Sequence, residues 1–259
     1  MQKIGKVNWV GSYTLFMREC RRFMKVYQQT VLAPAFTTLT FLLVISIAFD
    51  GNARSIKGIN FIDFLAPGLI VMTMVQNAFA NTSSSLISSK VAGNIVDILM
   101  PPLNAHELTF SYILGAIIRS ILVGVVTTLA MFPFISIEII NIFVLIFFSL
   151  SGSIFLGLLG LITGIWAEKF DNMSAVTNFI ITPLTFLSGT FYTIDKLPEP
   201  FYSLCFLNPF FYIIDGFRSA MIEHNDSNIL IGIIYLTILN IFLYILSWYI
   251  FKKGWHLRV

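Results

Sequence analysis

An all-α fold, that of a polytopic membrane protein, is predicted from three observations. Of 259 residues, 57% are hydrophobic and 11% are charged, whereas soluble domains carry about 25% charged residues. The apolar residues gather in six long runs, and about 20 apolar helical residues cross a hydrocarbon core. Charged residues collect in the short links between the runs, leaving no room for a separate soluble domain. The division is an amphipathic segment, 1–28, followed by a transmembrane domain, 29–259.

The first element covers residues 9–27. Trp9, Val10, Tyr13, Phe16, Met17, Cys20, Met24 and Tyr27 recur every three or four positions, while Arg18, Arg21, Arg22 and Lys25 lie mostly off that stripe. This is the pattern of a basic amphipathic helix lying in the headgroup region; the competing reading is a soluble helix packed on a partner. The first span, 31–49, begins behind this basic segment, which is not the layout of a secretory leader. Pro34 falls in its first turn, where proline costs little, and Asp50-Gly51-Asn52 ends it.

Span two, 64–87, is apolar in its first half. In its second half Thr73, Asn77, Asn81, Ser84 and Ser88 fall on one narrow face. A polar stripe in a membrane helix must face other helices or water. Span three, 108–134, contains Arg119, which needs a partner or a water path unless it snorkels to an interface; snorkelling is the expectation. Span four, 140–166, carries Gly152, Gly157, Gly160 and Gly164, which permit close helix contact. Span five, 175–192, repeats the polar spacing of span two with Ser174, Asn178, Thr182, Thr185 and Gly189. Two readings of the matched stripes stand: hydrogen bonds tying helices together, at about 1 kcal/mol each, or the wall of a shared pathway.

Residues 193–228 hold Pro198, Pro200 and Pro209 among Phe201, Tyr202, Phe206, Phe210, Phe211 and Tyr212. The segment is too apolar for a free loop and too broken for one span. Short half-helices whose ends are covered by protein satisfy both facts. The last span is 229–251, followed by Lys252, Lys253 and Arg258.

Between spans two and three, the loop 90–107 is not loop-like. Val91, Ile95, Ile98 and Leu99 make an apolar stripe at helical spacing, Lys90, Asn94 and Asp97 share a polar face, and Pro101-Pro102 stops the helix. A short two-faced helix in a surface loop fits either a docking element or a helix resting on lipid.

Orientation follows from Lys and Arg. With six spans, eleven of them (Lys3, Lys6, Arg18, Arg21, Arg22, Lys25, Lys90, Lys169, Lys252, Lys253 and Arg258) share the side of both termini, and four (Arg54, Lys57, Lys196 and Arg218) lie opposite. The positive-inside rule makes both termini and the docking loop cytoplasmic, and Cys20 and Cys205 then lie on opposite sides and do not pair. The net charge of +3 informs topology rather than nucleic-acid binding.

Enzyme signals are poor. No His-Glu-x-x-His helix, Gly-x-Ser-x-Gly elbow or P-loop is present, and His106, His224 and His256 are scattered. Asp215-Gly216-Phe217-Arg218 opens like a lipid-headgroup transferase motif, but the carboxylates that should follow are missing. Acids are nearly absent from the spans, which weakens an autonomous ion-coupled transporter. What remains is a membrane unit that takes energy from a partner through its docking element, or a scaffold that moves nothing.

Three stretches then carry a resemblance: Phe64-Leu65-Ala66-Pro67-Gly68-Leu69; Asn94-Ile95-Val96-Asp97-Ile98-Leu99-Met100-Pro101-Pro102; and a long run from Phe170-Asp171-Asn172 through Thr182-Pro183-Leu184-Thr185-Phe186-Leu187-Ser188-Gly189-Thr190-Phe191-Tyr192, Leu197-Pro198 and Leu207-Asn208-Pro209 to Gly216-Phe217-Arg218. In this order, within six spans, the chain resembles the membrane subunit (permease) of ABC-2 type transporters. The branch is the one that includes polysaccharide and nodulation-factor exporters, and the small bacterial inner-membrane permeases within it look most similar. The resemblance implies a half-transporter: two permease copies pair, and two separate ATPase subunits, which hold the ATP and magnesium, dock beneath them. No cofactor is implied on this chain. Val91, Gly93, Asn94, Ile95, Asp97, Ile98, Leu99 and Pro102 match the family's coupling helix, and 9–27 its connecting helix at the lipid surface. Spans two and five line the pathway in relatives, which points to Thr73, Asn77, Asn81, Asn178, Thr182 and Thr185. The Pro- and Phe-rich segment matches a re-entrant hairpin at the outer mouth. Relatives often carry a basic residue where this chain has Gly93.

Overall fold

The computed structural model of the chain describes residues 7–48, 55–56, 58–136, 138–222 and 224–256. The turn read at Asp50-Gly51-Asn52 lies outside the described residues, as do Lys3, Lys6, Arg54, Lys57 and Arg258 of the charge count. Among the described residues the protein is all-α apart from a hairpin of two two-residue strands that sequence reading missed, β1 (Ser55–Ile56) against β2 (Ile59–Asn60). Its helices are α1 (Trp9–Met24), α2 (Ala33–Ala48), α3 (Phe61–Val91), α4 (Ile95–Leu99), α5 (Ala105–Met131), α6 (Ile142–Trp166), α7 (Phe170–Val176), α8 (Thr182–Phe186), α9 (Phe201–Leu207), α10 (Pro209–Ser219) and α11 (Ile229–Lys253).

Among the described residues, five helices are long and apolar enough to cross a membrane: 28–48, Phe61–Val91, 105–134, Ile142–Trp166 and Ile229–Lys253. The expected span at 175–192 takes a different form. A helical run begins earlier, at Phe170, and ends sooner, at Phe186; at about 1.5 Å per residue it reaches about 25 Å. The reason for the early stop lies in α9, α10 and their junction. Asn208 Nδ2 donates to Leu184 O at 2.6 Å, Cys205 Sγ to Leu187 O at 2.9 Å, and Arg218 Nη2 to Gly189 O at 2.7 Å. Carbonyls that a longer helix would have used are thereby satisfied from outside, and Gly189 turns the chain with φ 71°.

Two π turns interrupt otherwise α-helical runs, at Gln28–Leu32 and Thr177–Ile181. Each ends two residues before a proline, Pro34 and Pro183. A proline ring has no N–H to donate and crowds the carbonyl four residues back; the wider turn gives that carbonyl room. The helix–break–helix expected of residues 193–228 is present as α9 and α10. Asn208 joins them, capping α10 by accepting from Phe210 N at 3.1 Å.

Helix α3 is central, packing on α2, α5, α6 and α10. Its contact with α6 is close because of the glycines there: a Cβ on Gly160 would overlap Phe79 O and Thr82 Oγ1, and one on Gly164 would lie 3.0 Å from Leu86 Cβ. At the opposite extreme, the apolar window of α11 is 17% buried against 78% for α3, so α11 is peripheral.

Candidate functional site

The docking loop and the two polar stripes are the candidate site. Helix α3 runs without a break to Val91; the chain then turns through Gly93, whose φ of 72° is left-handed, a conformation glycine adopts at little cost. That turn separates Val91 from α4, so the expected single stripe is split. Ile95 and Ile98 are buried at 2% and 5% in a cluster with Leu15, Leu86, Leu108 and Ile165 of the same chain. Val91, Val96, Leu99 and Met100 point outward, at 62%, 56%, 37% and 76% exposure. The expectation that Val91, Ile95, Ile98 and Leu99 form one docking face is therefore corrected: half of that set is the anchor. The polar face is also divided. Asn94 and Asp97 are exposed, but Lys90 belongs to α3 and its Nζ donates to Ile165 O, and to Ala167 O at 3.2 Å, meeting orphan carbonyls at the end of α6. Pro101 and Pro102 follow the end of α4 as expected, both exposed.

Glu107 ties this loop to α1. Its Oε2 accepts from Asn104 N at 2.7 Å and its Oε1 from Asn8 N at 2.6 Å, so one carboxylate holds the starts of both α5 and α1. Helix α1 buries Leu15, Glu19 and Phe23, not its apolar stripe. Trp9, Val10, Tyr13, Met24 and Tyr27 remain exposed, so the stripe is left outward, as a lipid surface or a partner would each require.

The inward face of α1 meets the span-two stripe. Arg22 Nη2 donates to Asn81 O at 2.6 Å and Asn81 Oδ1 at 3.1 Å, and Arg22 Nη1 to Ser84 Oγ at 3.2 Å. Glu19, fully buried, accepts from Ser85 Oγ at 2.7 Å and lies 3.4 Å from Arg22 Nε. Deeper, Asn77 Oδ1 accepts from Arg119 Nη2 at 2.9 Å, and Thr73 Oγ1 lies 2.8 Å from Thr38 Oγ1 of α2. Arg119 does not snorkel; it is 7% exposed in the middle of α5. Sequence reading passed over Glu19 and missed the inward turn of Arg22, because Arg22 was placed off the apolar stripe of a helix lying in the headgroup region. Burial, with the Glu19 carboxylate second, holds the Cys20 thiol above its ordinary pKa, which keeps it a weak nucleophile.

The second stripe is placed differently. Ser174 and Asn178 are exposed, Thr182 is half-buried, and Thr185 is buried with its Oγ1 donating to Ile181 O at 2.6 Å. Within one copy, then, Thr73, Asn77 and Asn81 are buried against α1, α2 and α5, while Asn178 opens outward. A hydrogen bond to sulfur joins α3 to α7 instead, with Ser83 Oγ donating to Met173 Sδ at 3.1 Å.

Comparison with known proteins agrees with this architecture. Residues 12–222 match a family described as ABC-2 type transporter. The chain is 31% identical over 251 residues to the inner membrane transport permease YadH of Escherichia coli strain K12, covering 96% of this chain and 98% of that one. It is 22% identical over 243 residues to nodulation protein J of Sinorhizobium fredii, covering 93% and 91%. A similarity of 25% over 203 residues to ABC transporter G family member 20 of Dictyostelium discoideum covers 78% of this chain and 26% of that longer protein.

Proposed function

Because this chain belongs to the ABC-2 type transporter family, we propose that it is the membrane-spanning subunit of an ATP-driven exporter in a bacterial inner membrane. Two copies pair to form the pathway, and a separate ATPase subunit, carrying ATP and magnesium, drives it from the cytoplasm. The observation that carries this reading is the two-sidedness of α4. Ile95 and Ile98 fix it to the bundle, while Val96, Leu99 and Met100 are left outward, the arrangement expected of a peg that must move with the spans and yet be seated in a partner.

Movement of the ATPase would displace α4 as a unit. The Gly93 turn passes that displacement to α3, and the contacts of Asn8 and Asn104 with Glu107 pass it to α1 and α5. Such an assembly is a two-state device, and the ATPase biases it only by binding the two states with different affinity. Asn178 and Thr182, beside the exposed Phe179 and Phe186, give the pathway a mixed polar and aromatic wall. That mixture suits an amphiphilic or glycan-type cargo.

The test separates anchor from contact. Val96→Asp with Met100→Asp should abolish co-purification of the ATPase while leaving thermal stability of the permease unchanged. Ile98→Asp should lower stability, since it buries a charge. Retention of the ATPase by the double variant, with undiminished transport, would overturn the docking assignment and leave a membrane scaffold.

A further inference from the structure

A groove at one end of the bundle is lined by α1, α5 and α11. It has a volume of about 790 Å³ and lies where the start of α5 passes between α1 and the end of α11. Ligand pockets occupy about 300–1,000 Å³, so its size suits a molecule rather than a few waters. Tyr13 and Phe16 form one wall, Phe110 and Leu114 the floor, and Tyr244 and Trp248 the opposite wall. The α1 wall belongs to the apolar stripe that α1 leaves outward. An amphipathic helix with an unburied apolar face lies at the boundary of headgroups and acyl chains.

The rim is cationic and stacked. His106 lies against the Trp248 ring with centroids 5.0 Å apart and planes at 22°. Lys252 Nζ sits 4.9 Å from the centroid of the same ring. Tyr244, Trp248 and Lys252 recur every four residues down one face of α11, and Tyr, Trp and Lys in this order mark the depth of the headgroups. Among the described residues Lys252 is paired with no carboxylate. The one acid on the groove, Glu107, has both oxygens occupied by the backbone N–H groups of Asn8 and Asn104.

We propose that this groove binds one anionic phospholipid of the adjoining leaflet, with its phosphate at Lys252 and His106 and an acyl chain along Phe16, Phe110 and Leu114. A lipid fits better than a protein segment because one wall is α11, whose apolar window is 17% buried and whose end carries Tyr244, Trp248 and Lys252 at headgroup spacing. That side of the bundle faces acyl chains. The inference rests on the chain spanning a membrane and is independent of the ATPase assignment.

Native mass spectrometry of the delipidated full chain, titrated with phosphatidylglycerol and with phosphatidylcholine of matched acyl chains, tests it. The first phosphatidylglycerol should bind about fivefold tighter than phosphatidylcholine, the factor expected of one lysine near a headgroup. Lys252→Gln should remove that preference. Lys253→Gln should not, because that side chain lies over Tyr249 at 4.6 Å on another face. Leu114→Trp, which fills the floor, should lower occupancy by both lipids. Equal binding of the two lipids by the unmodified chain, or a preference that survives Lys252→Gln, would overturn the proposal; Lys252 is at the surface, so that variant decides the matter even if Leu114→Trp folds poorly.

Discussion

Arg119 sits mid-helix in a span with Asn77 Oδ1 as its hydrogen-bond acceptor. A charged group deep in a bilayer needs such a contact, and a hydrogen bond to a charged group contributes about 1.5–3 kcal/mol. Asn77→Leu should therefore destabilise the permease by about that amount, read as a fall in the midpoint of thermal unfolding in detergent. Joining it to Arg119→Leu should recover most of the loss, because the second change removes the guanidinium that Asn77→Leu leaves without its acceptor. Additive losses would mean that the two side chains act separately. Residue by residue, the sequence revealed that Thr73, Asn77 and Asn81 must be turned away from lipid, since spacing alone sets a helix face. It did not reveal their partners. Arg119 is compatible with snorkelling or burial until the rotation of α5 is known, and Glu19 and Arg22 find Ser85 and Asn81 through a crossing of α1 over α3 and α5 that no local pattern encodes.

Whole elements were more legible than their faces. All five long apolar helices fall where length and hydropathy put them, and Pro101 marks the end of α4. Less visible was which side of a two-faced helix the bundle would take. Periodicity in α1 identified Trp9, Val10 and Tyr13 as one stripe, yet α1 buries Leu15, Glu19 and Phe23, because its inward contacts are partly polar, Glu19 with Ser85 and Arg22 with Asn81. In α4 the same ambiguity was compounded by Gly93, whose left-handed turn put Val91 on a different helix from Ile95. The glycines of α6 were read correctly as close-contact positions, but they are not equivalent. A Cβ on Gly160 would run into the Phe79 carbonyl, part of a rigid helix backbone, whereas one on Gly157 would lie 3.3 Å from the side-chain atoms Ala116 Cβ and Ile113 Cδ1. Gly160→Ala should cost about 1–3 kcal/mol, the usual penalty of overpacking, while Gly157→Ala should be close to neutral. Equal unfolding midpoints for the two variants would show that α3 and α6 can separate freely, contrary to the packing described.

At the scale of the molecule, a single copy leaves a great deal of apolar surface open, and most of it can be met by lipid. Phe36, Val44 and Ile47 on α2 and Ile234, Ile238 and Ile241 on α11 are all exposed, and hydropathy alone does not separate a face for acyl chains from a face for a second copy. The polar content does. The open side of α11 around Ile238 is apolar but for Thr237, whose hydroxyl donates to Ile233 O at 2.7 Å, whereas the run 170–186 opens Ser174 and Asn178 beside Phe179, which is 81% exposed. An amide facing hydrocarbon would lose its hydrogen bonds to water at a cost of several kcal/mol, so the Asn178 face belongs against protein or a water-filled path. If two copies pair, that face lies at or near the seam, and α11 lies away from it. Cysteine placement tests this once Cys20 and Cys205 are replaced by serine. Asn178→Cys should give a cross-linked dimer on mild oxidation in membranes, and Ile238→Cys should not. A dimer formed through position 238 alone would put α11 at the seam, close the lipid groove beside Trp248, and move the proposed pathway away from Asn178 and Thr182.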